Sequence, residues 1–149
     1  MNLEAIKNLY QQNSFFWNAP LEALQTTYGG RDFTFCRKGH AVERVIRFDV
    51  SWCIELGRHG DVGMYDHIIY AIGEECAPVA EEDPGSYGIM WLLTVSGKLV
   101  GYHDFCIYRI GDPQESWSGG ILALLAGGAV TEIANVSDHF LFDLPPPVT

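Results

Sequence analysis

The chain lacks most of what would commit it to a membrane or to covalent chemistry. Across 149 residues no stretch approaches the roughly 18 consecutive apolar residues of a spanning helix. Its first residues, Met1-Asn2-Leu3-Glu4-Ala5-Ile6-Lys7, lack the basic-then-apolar layout of an export signal, so a cytoplasmic location is expected. None of the four cysteines (Cys36, Cys53, Cys76, Cys106) belongs to a CxxC pair, the spacing a structural zinc site would use. Reduced, partly buried thiols are the plainer reading. The chain has no G-x-S-x-G elbow, since the nearest run, Gly85-Ser86-Tyr87-Gly88, has the wrong spacing, and it has no phosphate-cradling glycine loop.

Basic residues are also scarce. Nine Lys and Arg face 19 Asp and Glu, for a net charge of −10. Residues 1–48 carry +2, residues 49–115 carry −9, and residues 116–149 carry −3 with no Lys or Arg at all. Such a surface repels nucleic acid, whose binding depends on cations that neutralise phosphates. It would steer a basic protein partner instead, although solubility alone also explains acidity. Glu74, Glu75, Glu81, Glu82 and Asp83 fall within ten positions. With Asp104 they are the candidate partner-binding residues. Gly73, Pro84 and Gly85 flank the run, so a solvated charged face is expected rather than the partly desolvated carboxylate pair that acid–base catalysis requires.

What is present is enough apolar material for one core: 48% hydrophobic and 13% aromatic residues. Leu3, Ile6, Leu9 and Tyr10 predict a helix near 2–12. Asn18 and Pro20 open a second helix, which Gly29-Gly30 closes. Alternation through Phe33 and Phe35, and through Ile46, Phe48 and Val50, predicts two strands. Met64, Ile68, Ile69 and Ile72 mark a helix that Gly73 stops. A strand over 76–80 follows, which Pro78 places at an edge or bend. Tyr87–Val95 reads as a central strand covered on both faces, Ser96-Gly97 as a turn into Lys98–Tyr102, and Phe105–Ile110 as another strand. Asp112-Pro113-Gln114-Glu115 is the best helix start, with a helix to about Ala126 and a kink or late start at Gly119-Gly120. Asp138–Leu144 is expected as a last strand or loop before Pro145-Pro146-Pro147. The sum is one α+β domain over 1–149, with helices packed on one face of a mostly antiparallel sheet.

Two groups offer chemistry. His59, Asp61, Asp66 and His67 are the densest set of possible metal ligands, yet Asp61 is more simply a helix cap. His103 and Cys106 resemble a thiol–imidazole pair, but three residues apart on one strand they would face opposite sides. No catalytic residue, metal or cofactor is therefore assigned. Trp17, Trp52, Tyr65, Tyr102 and Trp117 are the aromatics able to anchor a partner, most of them being needed in the core.

The order of segments resembles a known family. Leu21-Glu22-Ala23-Leu24 leads to Tyr28-Gly29-Gly30. Tyr70-Ala71-Ile72-Gly73 precedes Ala77-Pro78-Val79-Ala80-Glu81-Glu82 and Gly85. Then come Leu92-Leu93-Thr94-Val95, Ser96-Gly97-Lys98-Leu99-Val100-Gly101, and Tyr108-Arg109-Ile110-Gly111-Asp112. Over residues 20–126 this resembles the SUKH superfamily, and within it the third subgroup. The resemblance implies a non-enzymatic α+β domain. It would act as a bacterial immunity protein that binds and neutralises a protein toxin, often a nuclease, as a monomer or weak homodimer. A regulatory or scaffold domain of the same superfamily is the alternative, and a small metal- or thiol-dependent enzyme is a third.

Overall fold

The computed structural model describes residues 2–60, 63–84, 88–112 and 116–136. α1 (Leu3–Gln12) starts where the Asn2 side chain accepts from the Ala5 backbone N–H, and it buries Tyr10. α2 (Ala19–Tyr28) starts in the same way, Asn18 accepting from the Leu21 N–H with Pro20 in the first turn. Gly29 closes it by donating to the Gln25 carbonyl, but the left-handed residue is Gly30 at φ 75°.

β1 (Asp32–Cys36) and β2 (Glu43–Arg47) form the expected hairpin. β2 ends before Val50, because Asp49 accepts from both the N–H and the hydroxyl of Ser51 and turns the chain into a short helix, α3 (Ser51–Leu56). That helix was not expected; six residues are too few to show a period. α4 (Met64–Ile72) ends at Gly73, which is left-handed at φ 82°.

β3 (Cys76–Glu82), β4 (Met90–Thr94), β5 (Leu99–His103), β6 (Cys106–Ile110) and β7 (Val130–Asn135) complete a seven-stranded antiparallel meander in chain order. β3 meets β2 only through Ile46↔Glu82 and Arg47↔Glu81. Its first half is therefore an open ladder edge on that side, which is how a proline fits inside the sheet. The register slips between Pro78 and Ala80. Tyr10 of α1 covers this edge, its hydroxyl donating to the Pro78 carbonyl at 2.6 Å. β4 is buried from Trp91 to Thr94, as expected of a strand covered on both faces.

α5 (Trp117–Leu125) begins after Ser116 instead of Asp112, because the Trp117 N–H donates to the Gly97 carbonyl at 2.8 Å and ties the helix start to the β4–β5 turn. Pro113–Glu115 lie outside the described residues. Gly120 is helical for packing: a Cβ there would lie 3.3 Å from Leu99 Cβ, so glycine lets α5 rest directly on β5. β7 escaped the sequence because its burial does not alternate. The strand or loop expected over 138–144 lies outside the described residues. The result is α+β, helices packed against an antiparallel sheet, and no helix among the described residues is long and apolar enough to cross a membrane.

Candidate functional site

The acidic run does not make one face. β3 lies inside it, and seven residues of strand span about 20 Å. Glu74 and Glu75 sit at one end of β3, and Glu81, Glu82 and Asp83 at the other. Glu74 accepts from the Ser96 N–H at 2.9 Å and its hydroxyl at 3.1 Å, pinning the β4–β5 turn. Glu75, half exposed, meets Arg58 at 3.4 Å. Asp83, at φ 47°, binds Arg44 at 2.9 Å and accepts from the Val45 N–H at 3.3 Å.

Glu82 departs furthest from the solvated face expected of it. Its side chain is fully buried, paired with Arg37 at 2.6 Å and within 3.6 Å of Arg44, and the Trp91 indole N–H donates to it at 3.0 Å. Strand alternation explains this: Glu82 is the cross-strand partner of Ile46, whose side chain is wholly inside. A surface partner does not reach it. Its neighbour Glu81, one residue earlier on the strand, faces the other way.

Glu81 belongs to the surface most suited to recognition. α3 turns Cys53 and Ile54 inward and leaves Trp52 56% and Leu56 53% exposed, one helical turn apart. The Trp52 indole N–H donates to Glu81 at 2.9 Å, which fixes the ring instead of leaving it free to rotate. Glu55 is exposed on the same short helix. Asp49 is held below the usual carboxylate range by its bonds to Ser51, so it keeps its charge. Burial pushes the Cys53 thiol up to about 12, with the Glu81 carboxylate adding to the rise. Arg47, opposite Glu81 in the ladder, is turned to Asp32 at 3.2 Å. Glu81 therefore has no ion pair among the described residues.

Of the five candidate anchors, Trp52 alone is exposed. Tyr65 is in the core, where its ring meets Phe15 edge-on at 5.1 Å, and Trp17, Tyr102 and Trp117 are partly buried against the core. A tryptophan beside an unpaired carboxylate is no sequence motif, and its exposure rests on the unexpected α3, so the sequence did not single out this pair. Asp104 lies elsewhere, exposed at the tip of the β5–β6 hairpin beside Phe105, which is 42% exposed.

The other candidates resolve differently. His59 is exposed after α3, while His67 is buried on α4, and Asp61 lies outside the described residues. Asp66 meets Arg58 at 2.7 Å instead. Arg58, which the sequence did not mark, is 8% exposed and joins the loop after α3 to α4 and to the start of β3. Among the described residues no group of three or more His, Cys, Asp or Glu is placed to hold a metal ion. All four cysteines are free; Cys53 and Cys76 are buried, Cys106 is partly buried, and Cys36 is exposed.

His103 and Cys106 are closer than their spacing implied. The chain reverses at Asp104 and Phe105, both with positive φ (49° and 66°), so His103 and Cys106 are directly opposed across the hairpin, and Asn135 opposes Cys106 from β7. Opposed residues share a face. Hydrogen bonding to the Glu132 carboxylate, and then burial, raise Cys106 above the ordinary thiol range.

No family model, curated protein or solved structure matches the chain. The geometry defines an α+β domain with an exposed tryptophan, Trp52, set among acidic residues.

Proposed function

We propose that the chain is a protein-binding domain that holds a basic partner against α3, with Trp52 as the anchor and Asp49, Glu55 and Glu81 as its charged surround. The exposed, immobilised Trp52 carries the reading. Tryptophan is over-represented among residues that dominate binding energy, and a ring already fixed loses little freedom on docking. Acidic groups around it raise the rate of encounter with a basic surface. The resemblance to the SUKH superfamily supplies the finer reading: the partner is a toxin, a nuclease domain in the first instance, and the chain is the immunity protein that neutralises it in the cytoplasm.

The test pairs the chain with nuclease toxin domains, first any encoded by a neighbouring gene. One-to-one binding with loss of nuclease activity is expected, with association slowing steeply between low and high salt. Trp52→Ala should weaken binding by roughly 30-fold, the 2 kcal/mol of an interface hot spot. A partner that binds without being inhibited removes the immunity role. Unchanged affinity in Trp52→Ala removes the α3 surface.

A further inference from the structure

A cavity of about 360 Å³ lies away from α3, between the end of α4, the β4–β5 hairpin, β6, β7 and the start of α5. Ile72, Leu99, Ile110 and Ile133 supply the apolar part of its walls, and polar groups supply about as much. Ile133 is 47% exposed, an unusual state for an isoleucine that faces a concavity.

The charges around this cavity are not what the chain's composition would place there. Beyond residue 48 the sequence contains only three cations, Arg58, Lys98 and Arg109. Arg58 is committed to Asp66 and Glu75. The other two both line this cavity, and neither forms an ion pair with a described residue. Arg109 Nε is sealed from solvent and has no hydrogen-bond partner. That nitrogen is closed to the cavity as it is to solvent, so the terminal guanidinium nitrogens, which carry no ion pair with a described residue, are the donors of Arg109 that can meet an acceptor there. Two carboxylates also line the space. Glu74 spends both oxygens on Ser96, and Asp112 has an interaction of its own. Those bonds leave both carboxylate charges in place, so an anion must sit against the two cations and away from Glu74 and Asp112.

We infer that this cavity binds a small organic anion, a carboxylate on a compact apolar body, with Arg109 as its principal partner and Lys98 at the mouth. Guanidinium suits a carboxylate because its donors form a planar fork, whereas the exposed Lys98 contributes a point charge. The apolar part of the walls takes the rest of the ligand. A cavity of about 150 Å³ holds a benzene ring, so this one has room for an aromatic ring or short acyl chain together with its headgroup. The site is separate from the α3 surface and does not depend on what that surface binds.

The experiment titrates labelled protein with benzoate and hexanoate, and in parallel with benzamide, hexanamide and hexylamine, following methyl and amide resonances. Saturable binding of the carboxylates is expected, at least tenfold tighter than that of the amides or the amine, with shifts confined to Ile72, Gly120, Ile110 and Ile133. Arg109→Met should cost about tenfold or more, Lys98→Met less, and Trp52→Ala nothing. The wild-type charge series decides the matter even if Arg109→Met fails to fold. Equal affinity for carboxylate and amide overturns the inference, as do shifts that map elsewhere or the absence of saturable binding by every probe.

Discussion

Arg37 and Glu82 meet 2.6 Å apart inside the fold, and the Trp91 indole N–H donates to the same carboxylate oxygen at 3.0 Å. The Glu82 side chain is fully buried and that of Arg37 is 11% exposed, so this pair is not weakened by water as a surface bridge would be. Glu82→Ala should destabilise the protein by about 3–5 kcal/mol, because it leaves a buried guanidinium and an indole N–H without their acceptor. Glu82→Gln keeps an acceptor in place and should cost less. Urea unfolding of both variants checks the order; equal losses would mean that side-chain volume, not charge, is what matters there.

Tyr10 ties α1 to the open half of β3. Its hydroxyl donates to the Pro78 carbonyl at 2.6 Å and accepts from the Gln25 side-chain amide at 3.0 Å, both inside the protein. Burial pushes this phenol well above the ordinary tyrosine range, so it remains a donor at any working pH. Tyr10→Phe keeps the ring but orphans a buried carbonyl and a buried amide, and it should cost about 1–3 kcal/mol. Hydrogen exchange should quicken around Pro78 before the rest of β3. Uniform loss of protection across the sheet would show that the bond does not hold this edge in particular.

Where the sequence was legible, local chemistry and packing agreed. Asn18 with Pro20 marked the start of α2, Gly73 the end of α4, and Ser96-Gly97 the β4–β5 turn, each through a backbone preference that no distant contact opposed. Legibility failed where a distant group decided. Trp117 bonds to Gly97 across the fold and moves the start of α5 away from a sound capping pattern at Asp112. Glu82 reads as loop charge because Asp83 and Pro84 follow it, yet strand alternation turns it inward onto Arg37, 45 residues away. The candidate surface divides in the same manner. Glu81 was visible as charge and Trp52 as an aromatic, but their contact depends on α3, a six-residue helix set by the Asp49–Ser51 turn. The proximity of His103 and Cys106 needed the Asp104-Phe105 reversal, which no glycine or asparagine announces.

His67 should make stability depend on pH near neutrality. Burial on α4 lowers its pKa from the ordinary value, with the Asp66 charge opposing only in part. The folded protein therefore binds this proton less readily than the unfolded chain. The stabilisation is complete above the unfolded value of about 6.5 and is lost as pH falls from there toward the folded value. Wild type should lose thermal stability between pH 7.5 and 5.5 more steeply than His67→Gln does. Parallel curves for the two proteins would assign the slope to other groups.

Cys106 decides whether the hairpin face can do thiol chemistry. With His103 opposed to it on β5 and Asn135 on β7, the Asn135 amide donating to Sγ at 3.8 Å, a thiol, an imidazole and an amide share one face. Only the thiolate attacks, and the Glu132 carboxylate, as acceptor of the thiol proton, stabilises the neutral form. Cys106 should therefore react with iodoacetamide more slowly than free cysteine at pH 7.5, measured by site-resolved mass spectrometry. Glu132→Gln removes the opposing charge and should speed the reaction several-fold. His103→Ala should change little, because the imidazole is not what limits the thiolate. If instead Cys106 outpaces free cysteine and slows sharply in His103→Ala, the pair is an activated nucleophile, and the protein-binding reading must give way to a thiol enzyme.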